Sequence, residues 1–130
     1  MISGDGVYTH VAVGANDLEA SKKFYDAALG ALGLSYLGPF GEKAILYGKD
    51  KPALLVLKPA NGEPAAAANG GTIGFTAAQT AQVDAFHAAG LANGGTCEGA
   101  PGPRSLPGSY GAYLRDPVGN KICAYSFSAT

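Results

Sequence analysis

Side chains able to bind or activate a ligand recur at alternate positions of several predicted strands. In each of these strands one parity is apolar and the other carries hydroxyl, imidazole, guanidinium or thiol groups. The candidate ligand-binding residues on strands are Tyr8, His10, Tyr47, Thr72, Tyr113, Arg115, Cys123 and Tyr125. A semi-polar sheet face either packs against another part of the protein or binds a ligand. Converging tyrosines with an arginine suit a small aromatic or anionic ligand. The alternative is that the tyrosines only fill the space between two halves of the molecule.

Some of these residues also suggest catalysis. His10 is a candidate general base, with Tyr113 or Arg115 holding an oxyanion. A hydrogen-bonded histidine of the core or cavity would look the same in sequence. Cys123 is most simply a small buried apolar residue, because a thiolate role requires a pKa depressed by Lys121 or Arg115.

The elements that position these side chains occur twice, because the chain nearly repeats itself. The offset that relates Phe24 to Phe86 also relates Gly33 to Gly95. An Asn16-x-x-Glu19 capping box predicts a helix that ends at Gly33, and a second helix is predicted at about 81–93. Predicted strands cover about 7–13, 34–38, 43–48 and 53–58, and then 72–76, 96–98, 111–115 and 121–127.

This order predicts an α+β fold of two βαβββ modules in a single domain of residues 1–130. Module one covers about 5–58, a linker rich in Pro, Asn, Gly and Ala covers 59–71, and module two covers 72–128. Mixed, curved sheets are expected to enclose a cavity, and function is expected between the two modules.

A long irregular segment from Glu98 to Tyr110 is predicted to be the lid of that cavity, because its glycines and prolines show no core-facing period. Arg104 is its only positive charge and is the candidate anchor for an anionic ligand group. The alternative is a surface arginine paired with a neighbouring carboxylate.

Composition excludes several classes of partner. With nine Lys and Arg, no basic cluster and a formal net charge of -1, nucleic acid is not an expected partner. No apolar run is long enough for a membrane span and no signal peptide is evident, so a cytoplasmic location is expected. Cys97 and Cys123 are therefore expected to be free thiols, and His87 is expected to be solvated.

Assembly is predicted from the same composition. The chain is 47% hydrophobic and only 15% charged, which leaves more apolar surface than a small monomer readily covers, so a homodimer is expected.

Several motifs resemble the vicinal oxygen chelate superfamily, which includes glyoxalase I, fosfomycin- and bleomycin-resistance proteins and extradiol dioxygenases. They are His10-Val-x-Val, Asn16-Asp-Leu-x-x-Ser-x-x-Phe-Tyr-Asp26 and Asp116-Pro-Val-Gly-Asn-Lys-Ile122. The segments Val83-Asp-Ala-Phe-His-Ala-Ala-Gly and Gly94-Gly-Thr-x-Glu-Gly-Ala-Pro-Gly-Pro-Arg104 resemble the second half of one bacterial, glyoxalase-like branch. The resemblance implies a glyoxalase-like fold whose cavity usually holds a divalent metal.

The resemblance also implies where metal ligands would stand. The family's four ligand positions, normally His, Glu or Gln, fall on His10, Leu55, Thr72 and Cys123. Leu55 has no ligand atom and a threonine hydroxyl is a poor ligand, so only His10 and Cys123 remain as remnant positions. No cofactor is therefore expected, and zinc, nickel, iron or manganese is the less favoured possibility.

Three hypotheses follow for function. The first is a metal-degenerate protein that binds a small organic ligand between its modules, as bleomycin-resistance proteins do by sequestration. The second is a divalent-metal-dependent lyase or dioxygenase of the glyoxalase type, with the metal as Lewis acid. The third is metal-free acid–base catalysis by His10.

Overall fold

The computed structural model describes residues 7–127 and contains two consecutive βαβββ units. Module one contains β1 (Val11–Gly14), α1 (Leu18–Gly30), β2 (Ser35–Pro39), β3 (Ala44–Gly48) and β4 (Pro52–Leu57). Module two contains β5 (Thr72–Thr76), α2 (Thr80–Ala92), β6 (Thr96–Pro103), β7 (Tyr110–Arg115) and β8 (Lys121–Ser126). The predicted α+β class and order of elements are confirmed. Positions 5, 6 and 128 of the predicted modules lie outside the described residues.

Each module forms its own four-stranded mixed sheet, with strand orders β1-β4-β3-β2 and β5-β8-β7-β6. The first strand of each module pairs in parallel with the last. Ala12 is opposite Leu55 in module one, and Gly74 is opposite Cys123 in module two. The two modules therefore share a register, and equivalent positions can be compared between them.

Helix α1 begins one residue later than predicted. Asp17 is the N-cap, and its carboxylate accepts hydrogen bonds from the backbone N–H groups of Glu19 and Ala20. Asn16 instead holds the linker, because its side chain accepts from the Ala65 N–H and donates to the Ala65 carbonyl.

Among residues 7–127 no helix is both long and apolar enough to cross a membrane.

Three local predictions are corrected. Strand β1 begins at Val11, so Tyr8 and His10 precede it and are exposed. Much of the predicted lid is strand, because β6 continues to Pro103 as an edge strand and absorbs its glycines and prolines through irregular pairing with β7. His87 is buried between α2 and β6, with 9% of its surface exposed.

The two modules share one hydrophobic core. Phe24 and Leu29 of α1 and Val83 and Phe86 of α2 are fully buried, and the two helices pack on each other. Both sheets contribute their helix-facing residues to the same cluster. The buried apolar residues of the two modules are therefore continuous.

Two helix glycines, Gly30 and Gly90, should respond oppositely to replacement by alanine, because they differ in how closely other atoms approach them. A Cβ at Gly90 on α2 would lie 2.4 Å from Leu114 Cδ1 and 3.1 Å from Phe24 Cε1, whereas nothing lies within 4 Å of one at Gly30 on α1. Gly90→Ala should lower the free energy of unfolding by about 1–3 kcal/mol because of overpacking. Gly30→Ala should raise it by up to about 0.5–1 kcal/mol, since alanine favours helix. Urea unfolding of both variants checks the pair, and a stabilised Gly90→Ala would contradict the packing.

Candidate functional site

Module two has a polar sheet face opposite its helix. On β8, Ile122 and Ala124 lie in the core. Because side chains alternate along a strand, Lys121, Cys123 and Tyr125 lie on the other face. We call this surface the open face of module two. Its polar and aromatic residues are Thr72, Arg104, Tyr113, Arg115, Lys121, Cys123 and Tyr125.

The neighbouring strands obey the same alternation. Ala112 and Leu114 of β7 are core residues, which leaves Tyr113 and Arg115 on the open face. Thr72 is exposed at the start of β5 and pairs in register with Lys121. These module-two residues thus lie on one side of the sheet, and their role in binding a ligand stays a prediction.

Tyr113 is the centre of a compact cluster on this face. Its hydroxyl lies 2.5 Å from the Tyr125 hydroxyl, and the two rings meet edge to face. The Arg104 guanidinium carbon lies 5.2 Å from the Tyr113 ring centroid, and Lys121 Nζ lies 5.1 Å from it. Two cations and a second phenol thus surround one aromatic ring, an arrangement stabilised by cation–π attraction.

Two glycines make room for this cluster. A Cβ at Gly99 would lie 3.1 Å from Arg104 Nη2 and 3.3 Å from Tyr113 Cδ1. A Cβ at Gly111 would lie 2.8 Å from Tyr125 Cε1, so the Tyr125 ring packs directly on the backbone of β7. These residues escaped the sequence analysis, because a glycine in a strand signals close approach without naming the partner.

The cations of the open face differ in whether they pair with a carboxylate. Arg115 is engaged, because its Nε donates to Glu98 Oε1 at 2.8 Å and its Nη1 donates to the Gly119 carbonyl. Arg104 donates only to the backbone carbonyls of Ala100 and Gly111. Among the described residues, the salt bridges are Arg115–Glu98 and Lys22–Asp26, so Arg104 and Lys121 have no acidic partner.

The Tyr113 phenol and the Cys123 thiol favour their neutral forms. The hydrogen bond with Tyr125, together with burial, raises the pKa of Tyr113 to about 12. Burial raises the pKa of the Cys123 thiol, although Lys121 and Arg104 partly oppose the shift. At neutral pH the site therefore offers a protonated phenol and a protonated thiol beside two positive charges. A thiolate role for Cys123 finds no support in this environment.

Tyr47 was expected on the side of its strand that faces away from the helix, but it lies on the helix-facing side of β3. Tyr47 is fully buried under α1, and its hydroxyl donates to Asp26 Oδ1 at 2.7 Å. Strand β3 is apolar on both sides, so alternation could not show which side carries the helix. His10 and Tyr8 belong to module one, where the His10 Nδ1 lies 3.0 Å from Thr9 Oγ1.

The corresponding face of module one is apolar. Ile45, Tyr47, Leu54 and Val56 point into the core, so the alternate residues form the opposite face. These residues are Ala12, Gly14, Ala44, Leu46, Leu55 and Leu57. The two modules thus present faces of opposite chemical character.

The space between the modules is a set of clefts. One of about 470 Å³ lies between the β3–β4 hairpin and β5, and Tyr47, Gly74 and Thr76 are among its lining residues. A second, of about 370 Å³, follows β1 and β5 and includes Thr72 and Lys121 in its lining. The second cleft leads to the open face of module two.

The turn after β7 joins the two modules. Asp116 is 4% exposed, and its Oδ2 accepts from the Tyr25 hydroxyl of α1 at 2.7 Å and from Asn120 Nδ2 at 2.8 Å. Asn120 Nδ2 also donates to the Gly14 carbonyl of β1 at 2.9 Å. Gly119 has φ of 107°, a left-handed conformation that glycine adopts without strain. The turn therefore fixes module two against both α1 and β1.

Comparison with models of protein families assigns the chain to a superfamily. The family model of the Glyoxalase/Bleomycin resistance protein/Dioxygenase superfamily matches residues 8–124. The chain belongs to this superfamily. No curated protein matches the sequence significantly.

Solved structures of the glyoxalase superfamily agree with the assignment. A glyoxalase/bleomycin resistance protein from Albidiferax ferrireducens T118 is 52% identical, with a TM-score of 0.83 over 92% of this chain and 97% of that one. A lactoylglutathione lyase from Agrobacterium tumefaciens is 25% identical, with a TM-score of 0.65 over 95% and 96% of the two chains. The V278E mutant of glyoxalase I from Zea mays, 22% identical, has a TM-score of 0.68 and shares the fold over 93% of this chain and 46% of its own.

The metal-ligand positions that the superfamily implies do not suit a divalent metal here. Leu55 has no donor atom, Thr72 offers a hydroxyl, and Cys123 is a buried thiol whose pKa is raised by burial. Within residues 7–127 there is no group of three or more His, Cys, Asp or Glu side chains arranged to hold a metal ion. The implied positions therefore do not supply the three protein ligands of a usual catalytic zinc site.

Two buried tyrosines that bond to carboxylates predict alkaline unfolding. Burial, reinforced by Asp116 and Asp26 respectively, raises the pKa of Tyr25 and Tyr47 above their ordinary value. The folded state then keeps protons that the unfolded state releases above about pH 10, so stability is full below that pH and falls as pH rises. The slope should approach about 1.4 kcal/mol per pH unit for each tyrosine.

Denaturant unfolding at a series of pH values from about 9 to 11 measures this slope. Tyr47→Phe removes one of the two phenol groups that titrate, so the free energy of unfolding should fall less steeply with pH. A free energy of unfolding that does not fall over this range would contradict the interpretation.

Proposed function

We propose that this protein binds a small organic anion with an aromatic or apolar part on the open face of module two, and sequesters it without a metal. The observation that carries the proposal is the pair of cations, Arg104 and Lys121, that flank Tyr113 without an acidic partner among the described residues. A partly desolvated cation without a counter-charge favours an anionic ligand. The phenol of Tyr113 and the ring of Tyr125 supply a hydrogen bond and apolar contact.

We also propose that a second copy of the chain covers this face. The apolar face of module one would bring the partly exposed Leu46 and Leu57 against the ligand on a partner's module two, so that one end of the ligand is held by charge and the other by apolar contact. A homodimer supplies both faces at once, in two equivalent sites. Sedimentation equilibrium should give twice the monomer mass, and a monomer at tens of micromolar concentration would exclude this closure.

A matched pair of probes tests the ligand class. Benzoate and benzamide have the same ring and similar size but differ in charge, and their dissociation constants can be measured by isothermal titration calorimetry. Benzoate should bind at least about tenfold more tightly, which is about 1.4 kcal/mol. Arg104→Gln and Lys121→Gln should each remove most of that preference, whereas Lys23→Gln, a lysine on α1 outside the open face, should leave it unchanged.

The outcomes separate the alternatives. Equal binding of the two probes would reject the anionic class, and absence of binding by both would reject the site. Elemental analysis after supplementation with zinc, nickel, iron and manganese tests the metal-dependent lyase or dioxygenase. About one equivalent of any of them would favour that enzyme, whereas less than about a tenth would favour metal-free binding.

A further inference from the structure

A thiol and an imidazole meet on the side of module two that faces away from the proposed ligand site. His87 Nε2 on α2 lies 3.1 Å from Cys97 Sγ on β6. Cys97 is exposed on the edge strand of its sheet, whereas His87 is almost fully covered. The next residue, Glu98, points the other way and pairs with Arg115. The pair is therefore separate from the open face.

The internal repeat shows that the fold itself does not require this pair. At the offset that relates Phe24 to Phe86, Cys97 corresponds to Ser35 and His87 corresponds to Tyr25. Ser35 is exposed on the edge strand β2, and Tyr25 donates its hydroxyl to Asp116. In the strand registers the counterpart of Cys97 is Tyr36, which pairs with the core residue Tyr47 as Cys97 pairs with Leu114. Neither the offset nor the register therefore places a thiol or an imidazole in module one.

The surroundings keep the imidazole available as a base. Burial lowers the pKa of His87, and the Asp84 carboxylate, one turn earlier on α2, partly opposes that shift. Tyr110 holds Asp84 in place, because its hydroxyl donates to Asp84 Oδ1 at 2.6 Å. An uncharged imidazole in hydrogen-bond contact with a thiol can accept its proton as the sulfur attacks.

We propose that Cys97 and His87 form a nucleophile–base pair, and that Cys97 is a modification site for small oxidants of the peroxide class. In the reaction, His87 Nε2 takes the thiol proton while the Cys97 sulfur attacks one oxygen of hydrogen peroxide. The S–O bond forms as the O–O bond breaks, and the departing hydroxide takes the proton from the imidazolium to leave as water. Sulfur is oxidised to a sulfenic acid and the peroxide is reduced.

Ser35→Cys supplies the control, because it places an exposed thiol on the edge strand of module one without a histidine partner. The protein is treated with hydrogen peroxide at neutral pH, sulfenic acid is trapped with dimedone, and peptide mass spectrometry quantifies each cysteine. Cys97 should be trapped at least about tenfold faster than the introduced thiol in the same molecule. Buried Cys123 should be slower than both.

His87→Gln should reduce the rate at Cys97 to that of the control thiol, with folding checked by circular dichroism. Equal rates at Cys97 and the introduced thiol in the Ser35→Cys protein would overturn the proposal, and this comparison needs no change at His87. An unchanged Cys97 rate in folded His87→Gln would also overturn it.

Discussion

Replacing Asp116 by alanine is expected to lower the free energy of unfolding by about 3–5 kcal/mol. The carboxylate is buried, and its Oδ1 accepts hydrogen bonds from the backbone N–H groups of Val118, Gly119 and Asn120. Its Oδ2 accepts from the Tyr25 hydroxyl. Alanine leaves these donors without the carboxylate in a site that water reaches poorly, and it also disconnects module two from α1.

Urea unfolding with Glu42→Ala as the control measures this effect, because Glu42 is exposed. Asp116→Asn keeps one acceptor oxygen and should lose less than alanine. Tyr25→Phe should cost about 1–2 kcal/mol, and its effect should largely disappear in the Asp116→Ala background. A loss below about 1 kcal/mol in Asp116→Ala would mean that the turn does not hold the modules together.

Restoring donor side chains at the degenerate positions is expected to create a metal site. Thr72→His with Cys123→Glu places an imidazole and a carboxylate on one face of the paired strands β5 and β8. His10 then supplies the third donor that the resemblance implies, from the same chain or from a second copy. Zinc or nickel should bind at least about tenfold more tightly than to the unaltered protein.

Isothermal titration calorimetry measures the affinity, and its stoichiometry per chain distinguishes a site within one chain from one shared by two. His10→Ala in the double variant should weaken binding again, which tests the third donor. If the double variant binds metal no better than the unaltered chain, the alignment of these strands with the superfamily's ligand positions is wrong.

Much of the fold could be predicted from local patterns. The repeat of Phe24 and Gly33 at Phe86 and Gly95 predicted two equal units, and alternation along β7 and β8 placed Tyr113 and Tyr125 on one face. Both signals are legible without the fold, because strand alternation depends only on neighbouring residues and a repeat needs only the comparison of two segments of the chain.

Local patterns failed where the sequence was ambiguous. Tyr47 lies in a strand that is apolar on both sides, so either face was compatible with its pattern. The predicted lid is rich in glycine and proline, yet pairing with β7 makes its first half an edge strand. In both cases a neighbouring element decided the local structure: α1 covers Tyr47, and β7 pairs with β6. Packing and the hydrogen bonds between strands outweigh local preference.

By itself the sequence determined the α+β class, the order of the elements, the resemblance to the superfamily and the lack of suitable donors at two of its four ligand positions. Only the tertiary structure decided that Arg104 and Lys121 flank Tyr113 without a carboxylate from the described residues, that Asp116 joins the modules, and that His87 meets Cys97. These contacts join residues of different elements. Their partners depend on how helices and sheets pack, which no local period of the chain encodes.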